Sequence, residues 1–276
     1  MGKMLIPKIS VIIPYYNASK SINDTIYSVI KQNGEYFFEI IIIDDCSEIK
    51  LDASIIKYNF NEVKYSITIL RNEVNLGVGL TRTRGINISS GDFIAFLDSD
   101  DFWNENKTDI QLKFLEKNGD VGLIGSLTNM PTSSSPFYKK KNQEFYEITL
   151  FDLMFKWYFQ PSTVIIKKQL FSLIDNDIYR YGGEGWYYIQ LTKFTKLILL
   201  NRILVNYDNG KRGFGQKGLT AKIHYNEKCE LRNYYFGLTK GNLNLPYFIF
   251  ATTFSILKYF RRLFICKLDE LRHESR

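Results

Sequence analysis

Cysteine is scarce in this chain. Cys46, Cys229 and Cys266 stand far apart and form no CxxC pair. This excludes a disulfide framework and a thiolate zinc site, and it fits a reducing cytoplasm. Neither of the two histidines has a metal-site partner nearby in sequence. No uninterrupted apolar stretch reaches the about 18 residues a membrane-spanning helix needs. The apolar run that follows Lys3, Pro7 and Lys8 is too short for a signal-peptide core and reads as a first strand. There is no P-loop GK[ST], and a dinucleotide G-x-G-x-x-G would need glycine where Arg82 stands. Zinc-finger spacing, an RNA-binding aromatic signature and long basic runs are also missing, so the net charge of +7 does not make nucleic acid a partner. Phosphorylated substrates or an anionic membrane surface are the readings that charge leaves.

What is present is an ordinary globular composition, 45% apolar and 24% charged, which argues against disorder. Ile9 to Ile13 is a β-rich run ending at Pro14. Ile22, Ile26, Val29 and Ile30 then recur at helical spacing until Asn33-Gly34. Phe37 to Ile43 is a near-continuous apolar run, as for a strand buried on both faces, and it stops at Asp44-Asp45. Ile55, Ile56 and Phe60 suggest a second helix, Ile67 to Leu70 a third strand, Leu76 to Ser89 a further helix and Phe93 to Leu97 a fourth strand. Strands alternating with helices imply parallel βαβ units, whose ligands bind beyond the carboxyl ends of the strands.

The pattern loosens after Asp120. Val121 to Gly125 and Ser162 to Ile166 read as strands, and Glu184 to Phe194 as a helix. Short strands follow over Leu197–Leu200 and Ile203–Val205, and the chain is helical from His224 onward. Pro131 to Asn142, rich in Ser, Pro and Lys, reads as a mobile loop. Asp208 to Gly218, with four glycines, reads as a flexible one.

Two acidic clusters end strands two and four. Asp98-Ser99-Asp100-Asp101 places three acids in four positions, and like charges so close need a cation to offset their repulsion. Their oxygens suit magnesium or manganese, which in turn bridge diphosphates. A strand-to-loop turn also favours Asp and Ser. Asp44 or Asp45 can accept hydrogen bonds from a base or ribose, or can cap a helix. In Asn75 to Gly85, Gly77 and Gly79 let backbone approach a ligand, and Arg82 and Arg84 offer guanidinium groups to phosphate or to the acids.

Together these pieces resemble family 2 glycosyltransferases of the GT-A fold. The matching text is Ile9 to Asn17, Ile40 to Ser47, Asn75-Leu-Gly77 through Arg82 and Gly85, and Gly91 to Asp101, in the family's order and covering about the first 105 residues densely. The resemblance implies an α/β fold, a Rossmann-like, mostly parallel sheet flanked by helices. A catalytic domain is expected over 1–222, with a nucleotide-binding half at about 1–105 and an acceptor-binding half at about 106–222. A helical C-terminal extension is expected over 223–276.

The resemblance also implies an inverting transferase that takes a sugar from a nucleotide-sugar, a UDP-sugar above all, to a saccharide acceptor in surface-polysaccharide assembly. Pro14, Tyr16 and Asn17 would frame the nucleotide, Asp44 or Asp45 read the base, and Asn75, Gly77 and Arg82 lie beside base and diphosphate. Asp98 and Ser99 would contact the donor, and Asp98 and Asp100 would hold Mn2+ or Mg2+.

The chain departs from the family at two places. Thr83 stands where the family usually has Asn. The family's base, an Asp in a Glu-Asp pair, meets Gly185, so Glu184 is the expected catalytic base; the bland reading of Glu184 is an acid favoured at a helix N-terminus. His224 is expected either near the diphosphate or at a helix cap.

Pro246 to Cys266 is strongly apolar with late basic residues. It reads either as an amphipathic helix on a membrane surface or as a helix packed on the catalytic domain. In the first case the acceptor would be lipid-linked and the protein peripheral on the inner face of the plasma membrane. Two other readings stay open. A nucleotidyltransferase would want a Gly-rich basic loop where Pro14-Tyr-Tyr-Asn17 stands, and a catalytically inactive sugar-nucleotide-binding module is suggested by Gly185.

Overall fold

The β-branched runs of the first half form four parallel strands: β1 (Lys8–Tyr15), β2 (Phe37–Asp44), β3 (Tyr65–Arg71) and β4 (Phe93–Phe96). In the computed structural model they belong to a nine-stranded sheet completed by β5 (Phe102–Trp103), β6 (Val121–Thr128), β7 (Phe145–Glu147), β8 (Ile165–Lys167) and β9 (Lys196–Asn206). The structure describes residues 6–130, 143–175, 183–207 and 221–274, together with 133, 134, 136 and 139. The strand order is β3-β2-β1-β4-β8-β6-β9-β5, with β7 on β9. The long pairings are parallel; the antiparallel ones, made by β5, β7 and β8, span two or three residues each.

Alternation along β1 sends its side chains to two cores. Ile9, Val11 and Ile13 pack with Ile22, Ile26 and Val29 of α1 (Ile22–Ile30) and with Leu112 and Leu115 of α3 (Lys107–Lys117). Ile12 faces the other way, onto Ile86 of α2 (Val78–Ile88) and a cluster holding Leu153 and Met154 of α4 (Leu150–Phe155) and Trp186 to Ile189 of α5 (Glu184–Leu191). Gly85 allows α2 to lie this close: a Cβ there would fall 2.4 Å from the Ile12 side chain. The chain closes with α6 (Ile223–Thr239) and α7 (Leu245–Glu274).

Several sequence expectations need correction. The helix expected over Ile55, Ile56 and Phe60 is absent; turns occupy that stretch, with Asp52 holding the Ser54 amide at 2.7 Å. Ile56 is buried in the first core and Ile55 packs against it, so apolar residues were pinned without a helix. The two short strands of 197–205 are one strand, β9, whose pairing with β6 carries irregularities between Ser126 and Thr128. Ser162 lies in a 3-10 turn, Pro161–Thr163, ahead of β8. The loop expected over 208–218 lies outside the described residues, as does most of 131–142. Among the described residues no helix is long and apolar enough to cross a membrane.

Candidate active site

The register of the sheet sets the carboxyl ends of β1, β2 and β3 side by side, Tyr15 against Asp44 and Asp44 against Arg71. Asp44 is fully buried. It accepts from the Ser47 amide at 2.8 Å and the Leu51 amide at 3.1 Å, and it pairs with Arg71. Burial alone would raise its pKa. The hydrogen bonds from Ser47 and Leu51 and the Arg71 charge outweigh that and hold the carboxyl below its usual range. Asp45 accepts from the Asn72 side chain at 2.7 Å and from the Leu76 and Gly77 amides at 2.8 Å each. Asn75 donates back to the Asp45 carbonyl at 3.0 Å. The pair therefore shapes the loop that leads into α2, which turns at Gly77 with φ of 84°. Pro14 is the penultimate residue of β1, Tyr16 is half-exposed, and Asn17 takes a positive φ of 52° while its amide donates to Ser47 Oγ at 3.0 Å.

Arg82 comes up from α2 and is almost fully buried beneath this rim. Its guanidinium binds Asp98 through Nη2 and Glu184 through Nη1. Burial would lower its pKa, but Asp98 and Glu184 raise it above the usual arginine value, so the cation is kept. The two carboxylates come from positions 86 residues apart and meet on one cation. The two ion pairs, one at each Nη, hold the buried arginine in one orientation, while its Nε has no partner among the described residues.

The turn after β4 is built as firmly. The Ser21 and Thr25 hydroxyls of the α1 segment donate to the Ser99 carbonyl at 2.6 and 3.0 Å. Ser162 accepts from the Asp98 amide at 3.0 Å and donates to Asp101 at 2.5 Å, while its carbonyl takes the Trp103 indole N–H at 2.8 Å. Asp101 is buried in this network, Asp98 is partly exposed and Asp100 is exposed. Asp98, whose Oδ1 is held by Arg82, and Asp100 are the carboxylates of this turn that reach solvent. Among the described residues no group of three or more His, Cys, Asp or Glu side chains could hold a metal alone. Two carboxylates at the mouth of a site suit magnesium or manganese, whose remaining positions go to phosphate and water.

Residues 10–176 match the model of glycosyl transferase family 2. The chain belongs to that family. As such it is a glycosyltransferase, and enzymes of this family generally use a divalent metal. It is 27% identical over 277 residues to the uncharacterized glycosyltransferase MJ1057 of Methanocaldococcus jannaschii, covering 94% of each chain. It is 36% identical over 118 residues to the Escherichia coli UDP-Glc:alpha-D-GlcNAc-diphosphoundecaprenol beta-1,3-glucosyltransferase WfgD, covering 43% of this chain and 45% of the relative. Among solved structures, S. aureus TarS 1–349 superposes with a TM-score of 0.67 at 20% identity, over 92% of this chain and 72% of that one, which shows the shared fold. TarS 1–349 has also been seen in complex with UDP-GlcNAc.

Three residues of the site escaped the sequence reading. Ser162 ties the acidic turn to β8, and Trp157 and Tyr188 flank Glu184 in a cleft. None carries a local signal; each is brought in by the strands and helices of the loosely patterned half. Thr83, the departure from the family's Asn, lies 3.3 Å from both the Gly79 carbonyl and the Tyr187 hydroxyl, a local packing role. His224 sits in the first turn of α6 with its Nδ1 2.6 Å from the Tyr259 hydroxyl of α7.

Proposed function

We propose that this glycosyltransferase moves a sugar from a UDP-sugar to a saccharide acceptor with inversion, using Glu184 as the base. The observation that carries the reading is the convergence of two carboxylates, Asp98 and Glu184, from separate segments on one buried cation, Arg82. Arg82 orients Glu184 at the mouth of a cleft, where its carboxylate takes the proton of the attacking hydroxyl. The nucleoside diphosphate leaves from the opposite face, and the buried Arg82 cation lends its positive field to the growing charge. Asp98 and Asp100 would hold Mn2+ or Mg2+, which when bound supplies Lewis-acid stabilisation to the leaving diphosphate. Pro14, Tyr16, Asn17, Asn75, Gly77 and Ser99 frame the nucleotide, with Asp44 and Asp45 preparing the base-reading rim.

The UDP preference is supported by the name of WfgD and by the TarS complex with UDP-GlcNAc. The name of WfgD also supports a lipid-linked saccharide as acceptor. In this reading residues 1–222 form the catalytic domain, with the donor half at 1–105 and the acceptor half at 106–222. The extension 223–276 touches the inner face of the plasma membrane.

The test is a thermal-shift panel of UDP-, GDP- and dTDP-sugars with and without manganese. A ligand held at a hundred times its Kd stabilises the native state by about 2.7 kcal/mol. A clear rise in Tm with UDP-sugar and manganese, lost on chelation, is the expected outcome. No rise with any nucleotide-sugar overturns the reading.

A further inference from the structure

Beside Glu184 lies a cleft of about 270 Å³ between α5, α6 and the segment 157–161. Its walls include Trp157, Gln160, Tyr188 and Asn233 as well as Glu184. It is smaller than the about 300–1,000 Å³ typical of drug-sized sites, so it fits one ring rather than a chain of them.

Tyr188 is fully buried, and its hydroxyl has no hydrogen-bond partner among the described residues. Its ring is fixed edge-on against Phe159, centroids 5.4 Å apart. Burial raises the phenol's pKa, with the negative charge of Glu184 adding to it, so the hydroxyl stays a donor. A buried donor left unmade is costly, and its place in the cleft wall marks it for a partner that arrives.

Gly185 explains the shape of the cleft. A Cβ at this position would fall 2.8 Å from Trp157 Cη2 and 2.8 Å from Asn233 Nδ2. The indole and the amide close over the bare backbone, where an aspartate would have no room. Trp157 is half-buried and stacks on Tyr234, interplanar angle 14°. It presents an apolar plane next to Glu184, the arrangement that suits the apolar face of a sugar ring.

Charge narrows the ligand further. Glu230 and Arg262 also line the cleft, but Arg262 pairs with Glu227 at 2.7 Å and Lys258 with Glu230 at 2.8 Å. Two acids and two bases cancel, so the walls offer no surplus cation to an anionic group.

We propose that this cleft is the acceptor site and takes a single neutral sugar ring, stacked on Trp157, with Tyr188 donating to one of its hydroxyls and Glu184 facing the hydroxyl that attacks. The proposal rests on the glycosyl-transfer reading and specifies which acceptor chemistry fits it. Tyr188 acts here as a positioning and specificity residue.

Fluorescence tests it, because Trp103 and Trp186 are buried and Trp157 is the tryptophan a ligand can reach. Methyl glucoside, methyl N-acetylglucosaminide, methyl galactoside and methyl rhamnoside are titrated into the full-length protein with UDP and manganese present. A saturable change with at least one neutral glycoside is expected, with the matching sugar 1-phosphate binding no tighter. Tyr188→Phe should weaken that binding about fivefold, the loss of one hydrogen bond. Gly185→Ala, whose methyl displaces the indole, should weaken it about tenfold or more. The same variants should keep the wild-type thermal shift with UDP. No saturable change with any glycoside, tighter binding of the 1-phosphate, or wild-type affinity in Tyr188→Phe would each overturn the proposal. Failure of UDP itself to bind would instead sink the glycosyl-transfer reading, so the two failures are told apart.

Discussion

At the scale of single residues, the pair of salt bridges on Arg82 separates two roles that a family motif merges. Glu184→Gln keeps the size of the side chain and its hydrogen bond to Arg82 but cannot take a proton. Transfer should fall by about 10²- to 10⁴-fold, the usual worth of a positioned base, with the donor-induced thermal shift intact. A variant with near-wild-type rate would remove Glu184 from the chemistry. Arg82→Ala acts differently. It leaves Glu184 buried without its counter-ion, and breaking such a pair typically costs about 3–5 kcal/mol. Asp98 is partly exposed and can rehydrate, so the lower end is the better expectation. Calorimetry should then show a lower Tm as well as a lost activity, whereas Glu184→Gln should lose activity alone.

At the scale of elements, the sheet is pinned at the end opposite the site by Glu39 of β2. Its carboxylate accepts from the hydroxyl of Ser10 in β1, from the hydroxyl and amide of Ser90 before β4, and pairs with Lys8. Burial would raise its pKa, but the bonds from Ser10, Ser90 and Lys8 outweigh that and hold it at about 2. A depressed carboxyl stabilises the fold fully above the unfolded value near 4.5 and progressively less as pH falls toward 2. Stability of the wild type should therefore drop across that window, by about 1–2 kcal/mol from this residue once solvent screening is allowed for. In Glu39→Gln that part of the acid loss should be absent, and equal acid slopes in the two proteins would show that Glu39 plays no such part. Elements like β1 and β2 were legible in the sequence because their apolar residues are continuous and their ends are marked by Pro14 and Asp44. Helix α3 was not. Its buried positions are Lys107, Thr108, Gln111, Leu112 and Leu115, so polar residues interrupt the apolar stripe. Lys107 is taken out of water by the Trp103 ring, 4.0 Å away, a contact no local pattern announces. For the same reason Trp157 and Tyr188 were not legible in the sequence: they matter only once α5 and the 157–161 segment meet.

At the scale of the whole molecule, α7 is amphipathic in the inverted sense. Its inward side carries Ala251 and Ser255, both fully buried, then Lys258 and Arg262, which bind Glu230 and Glu227 of α6. Its outward side carries Ile249, Leu257, Phe260 and Phe264, each more than half exposed, with Arg261 and Lys267 exposed beside them. Water is a poor partner for such a stripe, and an anionic bilayer surface satisfies both its apolar residues and its cations. Each phenylalanine moved into the acyl boundary is worth about 1.5–3 kcal/mol, and each basic residue near an anionic surface about 1 kcal/mol. The full chain should co-sediment with phosphatidylglycerol vesicles, bind phosphatidylcholine vesicles less, and be released by salt. Phe260→Glu with Phe264→Glu should lower the partition by about a hundredfold or more without unfolding the protein, since neither side chain is buried. Unchanged sedimentation of that double variant would remove the membrane from the picture. Arg262 lies both on α7 and in the wall of the cleft beside Glu184. A helix resting on the bilayer would therefore set the mouth of the proposed acceptor site close to the surface from which a lipid-linked sugar projects. Transfer to such an acceptor should fall in the double variant while transfer to a soluble glycoside does not.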